Sequence, residues 1–386
     1  MRIMVVTDQY APMVGGVPSV TRALALGLAE RGHSVALLAP SPGRRGRQEA
    51  EERVSVHYQG SVPWPWYDGM RLACVPARTL ISAFAPDVIH IHSPVTLGVM
   101  AWVRARKLRI PVVYTNHYLP VNVRPSAEPK PRVFDALFYS YIVGFSNRCS
   151  HVTAPTATAL RLLRDRGLRV PSRVISNGID LRRYSPGPAD ERIRARYALA
   201  AGRPLILSVG RLSPEKRLDV LLDAVARLTQ DAYLAIAGTG PDEAGLRARA
   251  GRLGLTGRVR FLGFVPGPDL RGLYRLADVF AITSEAELQS LTTMEAMATG
   301  LPVVAADRYA LAELVSHGHN GFLAAPGRSD EIAAYLDILV ANPGLRAAMA
   351  GESLRIIGGH ECHRWLADWE SLYGLLAAAG PGDSPR

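Results

Sequence analysis

Apolar residues in this chain gather into short continuous runs separated by longer stretches of helical period. RIMVV (2–6), SVALLA (34–39), DVIHI (87–91), PVVYT (111–115) and HVT (151–153) occupy the first half. PLILSVG (204–210), AYLAIAG (232–238), RVRFLG (258–263), DVFAIT (278–283), PVVAA (302–306) and GFLAA (321–325) repeat the scheme in the second. Runs without polar alternation read as strands buried on both faces, and their alternation with helices predicts parallel sheets. TRALALGLAERG (21–32) is one predicted helix, with Gly32 as its C-terminal stop. The expected architecture is α/β, two doubly wound Rossmann-like domains, 1–180 and 181–362. The Gly-, Pro- and Asp-rich SNGIDLRRYSPGPADE (176–191) is the linker between them. Ligands of such sheets bind beyond the C-terminal strand ends, so two facing domains would present those edges across a cleft. The aromatic helix HRWLADWESLYGLL (363–376) has no strand after it. As segment 363–379 it is free to return to the first domain, ahead of a terminal GPGDSPR expected to be disordered.

A length of 386 residues fits two domains. The hydrophobic fraction of 48% and charged fraction of 20% fit a globular chain. MRIMVV is too short for a signal-peptide core, and no run approaches the roughly 18 apolar residues of a membrane span. Cys74, Cys149 and Cys362 are widely spaced and unclustered, which suits a reducing cytoplasm and neither a disulfide framework nor a zinc site. The net charge of +11 lies in the first half: residues 1–190 hold 24 Lys+Arg against 12 Asp+Glu, residues 191–386 hold 21 against 22. Without regularly interleaved aromatics this is a weak nucleic-acid signal. It suits an anionic membrane surface or a phosphorylated ligand better, although 42 of the 45 basic residues being Arg also fits a GC-rich genome.

Three segments carry chemistry. In QYAPMVGGVPSV (9–20), Gly15 and Gly16 permit close backbone approach and Pro18 suits a first helical turn. The motif reads either as an anion-holding helix start or as an ordinary tight turn. In SVGRLSPEKRLD (208–219), Arg211 and Lys216 bracket a loop at a strand end and match a diphosphate. Lys216 is one of only three lysines, though a solvated helix start flanked by Glu215 and Asp219 is the plainer reading. In SEAELQSLTTMEAMATGLPVV (284–304), Glu287 sits in a loop and Glu295 in the first turns of a helix stopped by Gly300. Glu295 can accept bonds from the vicinal hydroxyls of a ribose, while Glu287 and the amides of Gln289, Ser290 and Leu291 grip a sugar. The pair reads as hydroxyl binders rather than an acid/base dyad. A dipole-favoured acidic helix start would explain Glu295 alone.

The Glu-x7-Glu spacing followed by EAMATGLPVVAA resembles the donor-site motif of retaining GT-B glycosyltransferases of family 4. YAPMVGGVPSV, DVIHIHSP, VVYTNHYLP, SNGIDLRRY, VGRLSPEKRLD, AGTGP and LGF extend the likeness over essentially the whole chain. The resemblance implies hexosyl transfer from a nucleotide-diphosphate sugar such as UDP-glucose or GDP-mannose, with no metal and no other cofactor. It implies that Gly15 and Gly16 lie against the donor, that Arg211 and Lys216 hold the diphosphate, and that Glu287 binds the sugar and Glu295 the ribose. His117 of YTNHY matches the family histidine near the reacting centre. Tyr10, His92, Asn116 and Tyr118 form the expected acceptor side. Of His90 and His92, expected to alternate across a strand, His92 is taken to face the cleft.

The family commonly has Glu-Gly-Phe-Gly where this chain has Glu287-Leu288-Gln289-Ser290. That loop and TNHYLPVN (115–122) resemble the branch that glycosylates diacylglycerol and similar lipids. PRVFDALFYSYIVGF (131–145), preceded by Arg124 and Lys130 and containing Arg132, reads either as an interfacial helix or as a core helix. The expected acceptor is therefore a membrane lipid, with a soluble natural product or aminocyclitol as the alternative. The expected location is cytoplasmic or peripheral on the inner membrane face. A nucleic-acid-binding protein leaves the two glutamates unexplained, and a sugar-nucleotide epimerase would release nucleotide without an acceptor.

Overall fold

A computed structural model describes residues 1–13, 15–64, 70–74, 78–123 and 132–379. The chain divides into two compact units, Met1–Gly178 with His363–Arg386, and Ile179–Cys362.

In the first unit the strands are β1 (Arg2–Val6), β2 (Ser34–Pro40), β3 (Arg47–Glu51), β4 (Val54–Gln59), β5 (Ser61–Pro63), β6 (Arg71–Ala73), β7 (Val88–Ile91), β8 (Val112–Thr115), β9 (His151–Ala154) and β10 (Ser172–Val174). Eight form one sheet in the order β10-β9-β8-β7-β1-β2-β4-β3, parallel except for β3, and β5–β6 is a separate hairpin. The main strands fall where the apolar runs predict them. β3 to β6 and β10 are additions: β3 is polar and exposed, and β4 buries only alternate residues. The helix expected over 21–32 begins earlier, at Gly16, and ends at Glu30. Pro18 sits in its first turn, where its missing N–H costs nothing. Gly32, at φ +89°, closes it with Gly32 N donating to Ala29 O and His33 N to Leu28 O.

The helix Cys362–Ala378 packs on this first unit. Trp365, Leu366, Trp369, Leu372 and Tyr373 are buried, and Glu370 pairs with Arg31 and His33. Glycines make room for it: a Cβ on Gly178 would lie 2.6 Å from the Trp365 ring, and one on Gly27 equally close to Leu366.

The second unit has β11 (Leu205–Val209), β12 (Tyr233–Ala237), β13 (Val259–Gly263), β14 (Val279–Ile282), β15 (Val303–Ala306) and β16 (Gly321–Ala324). All six are parallel, in the order β13-β12-β11-β14-β15-β16. Both faces are covered, which explains the unbroken apolar runs. Leu205 and Leu207 of β11 enter one core and Ile206 the other, as the two-residue period of a strand requires. The segment expected as linker is largely built into this unit. Ile179 and Tyr184 are buried in its core, and Asp180 accepts from the Arg182 and Arg183 amides to form a turn. Successive strands move in opposite directions from β11 and β14, so the strand order reverses between these two neighbours. In the first unit it reverses between β1 and β7. Loops leaving such adjacent strands diverge, and the crevice they leave is where this class of sheet holds ligands.

Candidate active site

In the second unit the two loops at the reversal point are 210–217, after β11, and 283–290, after β14. Polar contacts stitch them together. Thr283 Oγ1 donates to the Lys216 and Arg217 carbonyls (2.9 and 2.8 Å), and Glu285 N donates to Glu215 O (3.0 Å). Arg217 reaches Glu285, and Lys216 Nζ donates to Glu287 Oε1 at 2.5 Å. The Lys216 and Glu287 side chains are only 23% and 10% exposed, so Lys216 is not a solvated helix start. Arg217 pairs with Asp219 as the following helix begins. Arg211 lies in the same loop and is exposed.

Ser290 caps the helix Leu291–Ala298, its Oγ accepting from Thr293 N, and Gly300 at φ +80° ends it. This places Leu291 and Glu295 in its first two turns. The Glu295 carboxylate accepts from Tyr274 Oη at 2.8 Å, and the Tyr184 hydroxyl is near enough to favour its charged form. Burial raises its pKa, and the two tyrosine hydroxyls lower it again. Two neutral hydroxyls thus fix the carboxylate with oxygen lone pairs to spare, a geometry suited to further hydroxyl donors. The two glutamates have separate supports, Lys216 for Glu287 and tyrosines for Glu295, and do not share a proton.

In the first unit the corresponding loops follow β1, β7 and β8. Asp8 is buried and accepts from Thr96 Oγ1 (2.7 Å), Leu97 N (2.9 Å) and Gly98 N (3.4 Å), tying the β1 loop to the helix Thr96–Leu108. Burial pushes its pKa up to about 6 against those hydrogen bonds. Next to it Tyr10, its hydroxyl bonded to Glu51, lines a cavity of about 500 Å³ with Pro12, Met13, Trp64 and Arg71. Added methyls at Gly15 and Gly16 would meet nothing closer than 3.9 Å, so packing within the described residues does not require either glycine.

His90 and His92 do not alternate across the strand as expected. Residues two apart share a face, and the rings lie 4.0 Å apart, both fully buried. His90 is spent on structure, bonded to Tyr373 Oη (2.7 Å) and Thr115 Oγ1 (2.6 Å). His92 Nδ1 meets His117 Nε2 at 2.9 Å, with ring planes 10° apart. Asn116 and Tyr118 frame His117 rather than solvent. Asn116 Oδ1 accepts from Tyr118 N and Tyr114 Oη, and the Tyr118 hydroxyl bonds Ser93 Oγ at 2.6 Å.

The structure therefore brings Lys216 and Glu287 together in one unit and His92 and His117 in the other. The sequence reading missed Asp8, Tyr184 and Tyr274. Asp8 was visible as an acid directly after a buried strand, whereas the tyrosines lie far from Glu295 along the chain and no local spacing marks them.

Two doubly wound parallel sheets of this kind are the GT-B fold. The chain belongs to the glycosyl transferases group 1, matching that family over residues 189–353 and Glycosyltransferase Family 4 over residues 14–183, and it is a glycosyltransferase. It is 29% identical to the alpha-monoglucosyldiacylglycerol synthase of Streptococcus pneumoniae, over 95% of this chain and 86% of that one. It is 30% identical to the GDP-mannose-dependent alpha-mannosyltransferase of Mycolicibacterium smegmatis, over 84% of each. Anabaena HepE, crystallised with UDP and glucose, superposes with a TM-score of 0.79 at 24% identity, over 97% of this chain and all of that one.

Burial holds the imidazoles of the first unit neutral: His117 and His151 titrate at about 4, and His90 and His92 well below the usual range. Below pH ~6.5 the unfolded chain takes up protons that the folded unit refuses. Stability therefore falls as the pH falls, each of these histidines acting in the same direction. Asp8 works in the opposite sense, since the folded unit binds its proton near pH 6 and the unfolded chain only near 3.8. Four histidines against one aspartate leave a net loss. All five tryptophans lie in the first unit, so their fluorescence isolates it. The urea midpoint followed this way should drop steadily from pH 7 to pH 5. A flat midpoint would show that these histidines protonate freely.

Proposed function

We propose that the protein is a retaining hexosyltransferase that moves a hexose from UDP-glucose or GDP-mannose to a hydroxyl of a membrane lipid. The acceptor would be of the diacylglycerol or phosphatidylinositol type. The carrying observation is the Lys216–Glu287 pair at the strand-order reversal of the second unit, with Glu295 held nearby by Tyr274 and Tyr184. In this reading the second unit is the nucleotide-sugar domain. Glu295 takes the ribose hydroxyls, Glu287 and the amides of Gln289, Ser290 and Leu291 take the sugar, and Lys216 and Arg211 take the diphosphate. As the glycosidic bond breaks, charge builds on the diphosphate, and cations already in position stabilise it without reorganisation. No divalent cation is needed for that neutralisation. The first unit is the acceptor domain, where Gly15 and Gly16 leave space for the donor's diphosphate and sugar and His117 reaches the transferred sugar. The new bond forms on the face the leaving group vacates. The alpha products in the relatives' names support retention, since glucose and mannose are alpha-linked in their nucleotide donors.

Three observations favour a lipid. The Streptococcus pneumoniae relative is named for a glycosylated diacylglycerol, and the cavity beside Tyr10 is lined by Pro12, Met13, Pro40, Pro42 and Trp64 as well as Asp8 and Arg71. The third is the helix Arg132–Ser146. It buries Tyr139, Ile142, Val143 and Phe145 but exposes Val133 (62%), Leu137 (66%) and Tyr141 (50%), four residues apart on one face. The helix therefore has a buried side and an exposed apolar side, and the exposed side supports the interfacial reading. Arg124 and Lys130 lie outside the described residues. Among those described, no helix is long and apolar enough to cross a membrane, so attachment would be peripheral. A second reading, transfer to a soluble phosphorylated polyol, is favoured by the name of the D-inositol 3-phosphate glycosyltransferase of Salinispora arenicola. That protein is 33% identical over 77% of this chain and 71% of its own.

The chain supplied with either donor and vesicles containing diacylglycerol or phosphatidylinositol should yield an alpha-linked glycolipid. Lys216→Ala should lower turnover about 100-fold, the cost of removing one preorganised charge-stabilising donor. A beta product would rule out retention, and full activity of the variant would remove Lys216 from the site. Product with inositol 3-phosphate alone would decide for the second reading.

Val133→Glu with Leu137→Glu changes only exposed positions and should leave folding intact. It should also abolish co-flotation with anionic vesicles. Undiminished flotation would show that another surface makes the contact.

A further inference from the structure

We infer that His92 is a positioning residue that fixes which nitrogen of His117 carries the proton. The consequence for transfer rests on the proposed role of His117; the assignment itself does not. His92 is fully buried, and its backbone is anchored by His92 N donating to Val6 O at 2.8 Å. Its Nδ1 lies 2.9 Å from His117 Nε2, in nearly coplanar rings, and its Nε2 is buried with no hydrogen-bond partner among the described residues.

A neutral imidazole has one N–H, so the contact admits two arrangements. If His117 Nε2–H donates, His92 must carry its own proton on Nε2 and strand a donor in the interior. If His92 Nδ1–H donates, its Nε2 is an unprotonated nitrogen, and only an acceptor goes unpaired. Orphaned buried N–H groups are the rarer and more costly kind, so the second arrangement holds. A charged ring is disfavoured as well. The His90 ring lies 4.0 Å away, tilted by 38°, and is itself bonded to Tyr373 and Thr115, so it offers no counter-charge.

With Nε2 of His117 engaged as an acceptor, its proton resides on Nδ1. His117 therefore offers a hydrogen-bond donor to an oxygen of its ligand and does not act there as a base. In the proposed reaction that donor meets a hydroxyl or ring oxygen of the transferred sugar, and proton removal from the acceptor is left to another group. His92 touches neither; it acts through His117.

The test is long-range proton–nitrogen NMR of the histidine rings in the full nitrogen-15-labelled chain, with His117 assigned from the signals lost in His117→Gln. His117 Nδ1 should show the shift of a protonated nitrogen and Nε2 that of an unprotonated one. His92→Asn keeps an N–H near the Nδ1 position and should preserve this pattern. His92→Phe keeps the ring shape without it and should give mixed tautomers. In turnover, His92→Phe should lose about tenfold in kcat with donor KM changed less than about twofold, and His92→Asn should recover most of the rate. A protonated Nε2 in the wild type, or an unchanged tautomer in His92→Phe, would overturn the inference. If His92→Phe fails to fold, the wild-type and His92→Asn shifts decide alone. The predicted tautomers together with full transfer by His92→Phe would uphold the assignment and instead remove His117 from the reaction.

Discussion

A lysine ammonium and a glutamate carboxylate 2.5 Å apart join the two loops that leave β11 and β14. Parallel strands deliver all their C-terminal loops to one sheet edge, and where the strand order reverses the loops part. The crevice between them has polar walls that need partners. Lys216 and Glu287 supply these for each other, with Arg217–Glu285 and Thr283 binding the same loops further back. A largely buried ion pair contributes little net stability, because desolvation consumes much of the attraction, yet loss of one partner strands the other. Its consequence is positional: an ammonium and a carboxylate are fixed side by side at the strand-order reversal.

The first unit meets the same geometric problem with different groups. Asp8 links the loop after β1 to the helix after β7, and the chain from Tyr373 through His90 to Thr115 and Thr153 crosses the strands behind His92 and His117. The Trp369 ring packs 4.5 Å from His90, tilted by 40°, so the C-terminal helix forms the back wall of the histidine cluster. Removal of that helix would therefore disturb the histidine cluster as well as the core. Opposed pKa directions, Asp8 up and the histidines down, follow from one cause, burial that disfavours whichever form is charged.

The strands carrying the site were legible because burial on both faces leaves no polar residue to break an apolar run, as in RIMVV and PLILSVG. Strands outside that rule were not read: Arg47–Glu51 is polar throughout, and Val54–Gln59 shows only the weaker alternation of a half-buried strand. The helix Gly16–Glu30 was placed too late because its first turn, Gly-Val-Pro, lacks a polar capping residue. Glu287, Glu295 and Lys216 stood out by type and spacing, but that Lys216 bonds Glu287 depends on the neighbouring positions of β11 and β14, which are 70 residues apart in the chain. The relation of His90 to His92 was readable from strand periodicity alone and was read wrongly. Tyr184 and Tyr274, which hold Glu295, meet it only through the packed core.

In the proposed reaction the second unit reads a nucleotide sugar through Lys216, Glu287 and Glu295. Thermal-shift titration with the UDP, GDP and ADP series and their hexose conjugates tests it most directly, since a ligand held only by the folded form raises Tm as its concentration passes Kd. One nucleotide series should raise Tm. The shift should shrink strongly in Glu295→Gln, which keeps the side chain's shape while removing the carboxylate. No shift with any of them, or an equal shift in the variant, would contradict the claim.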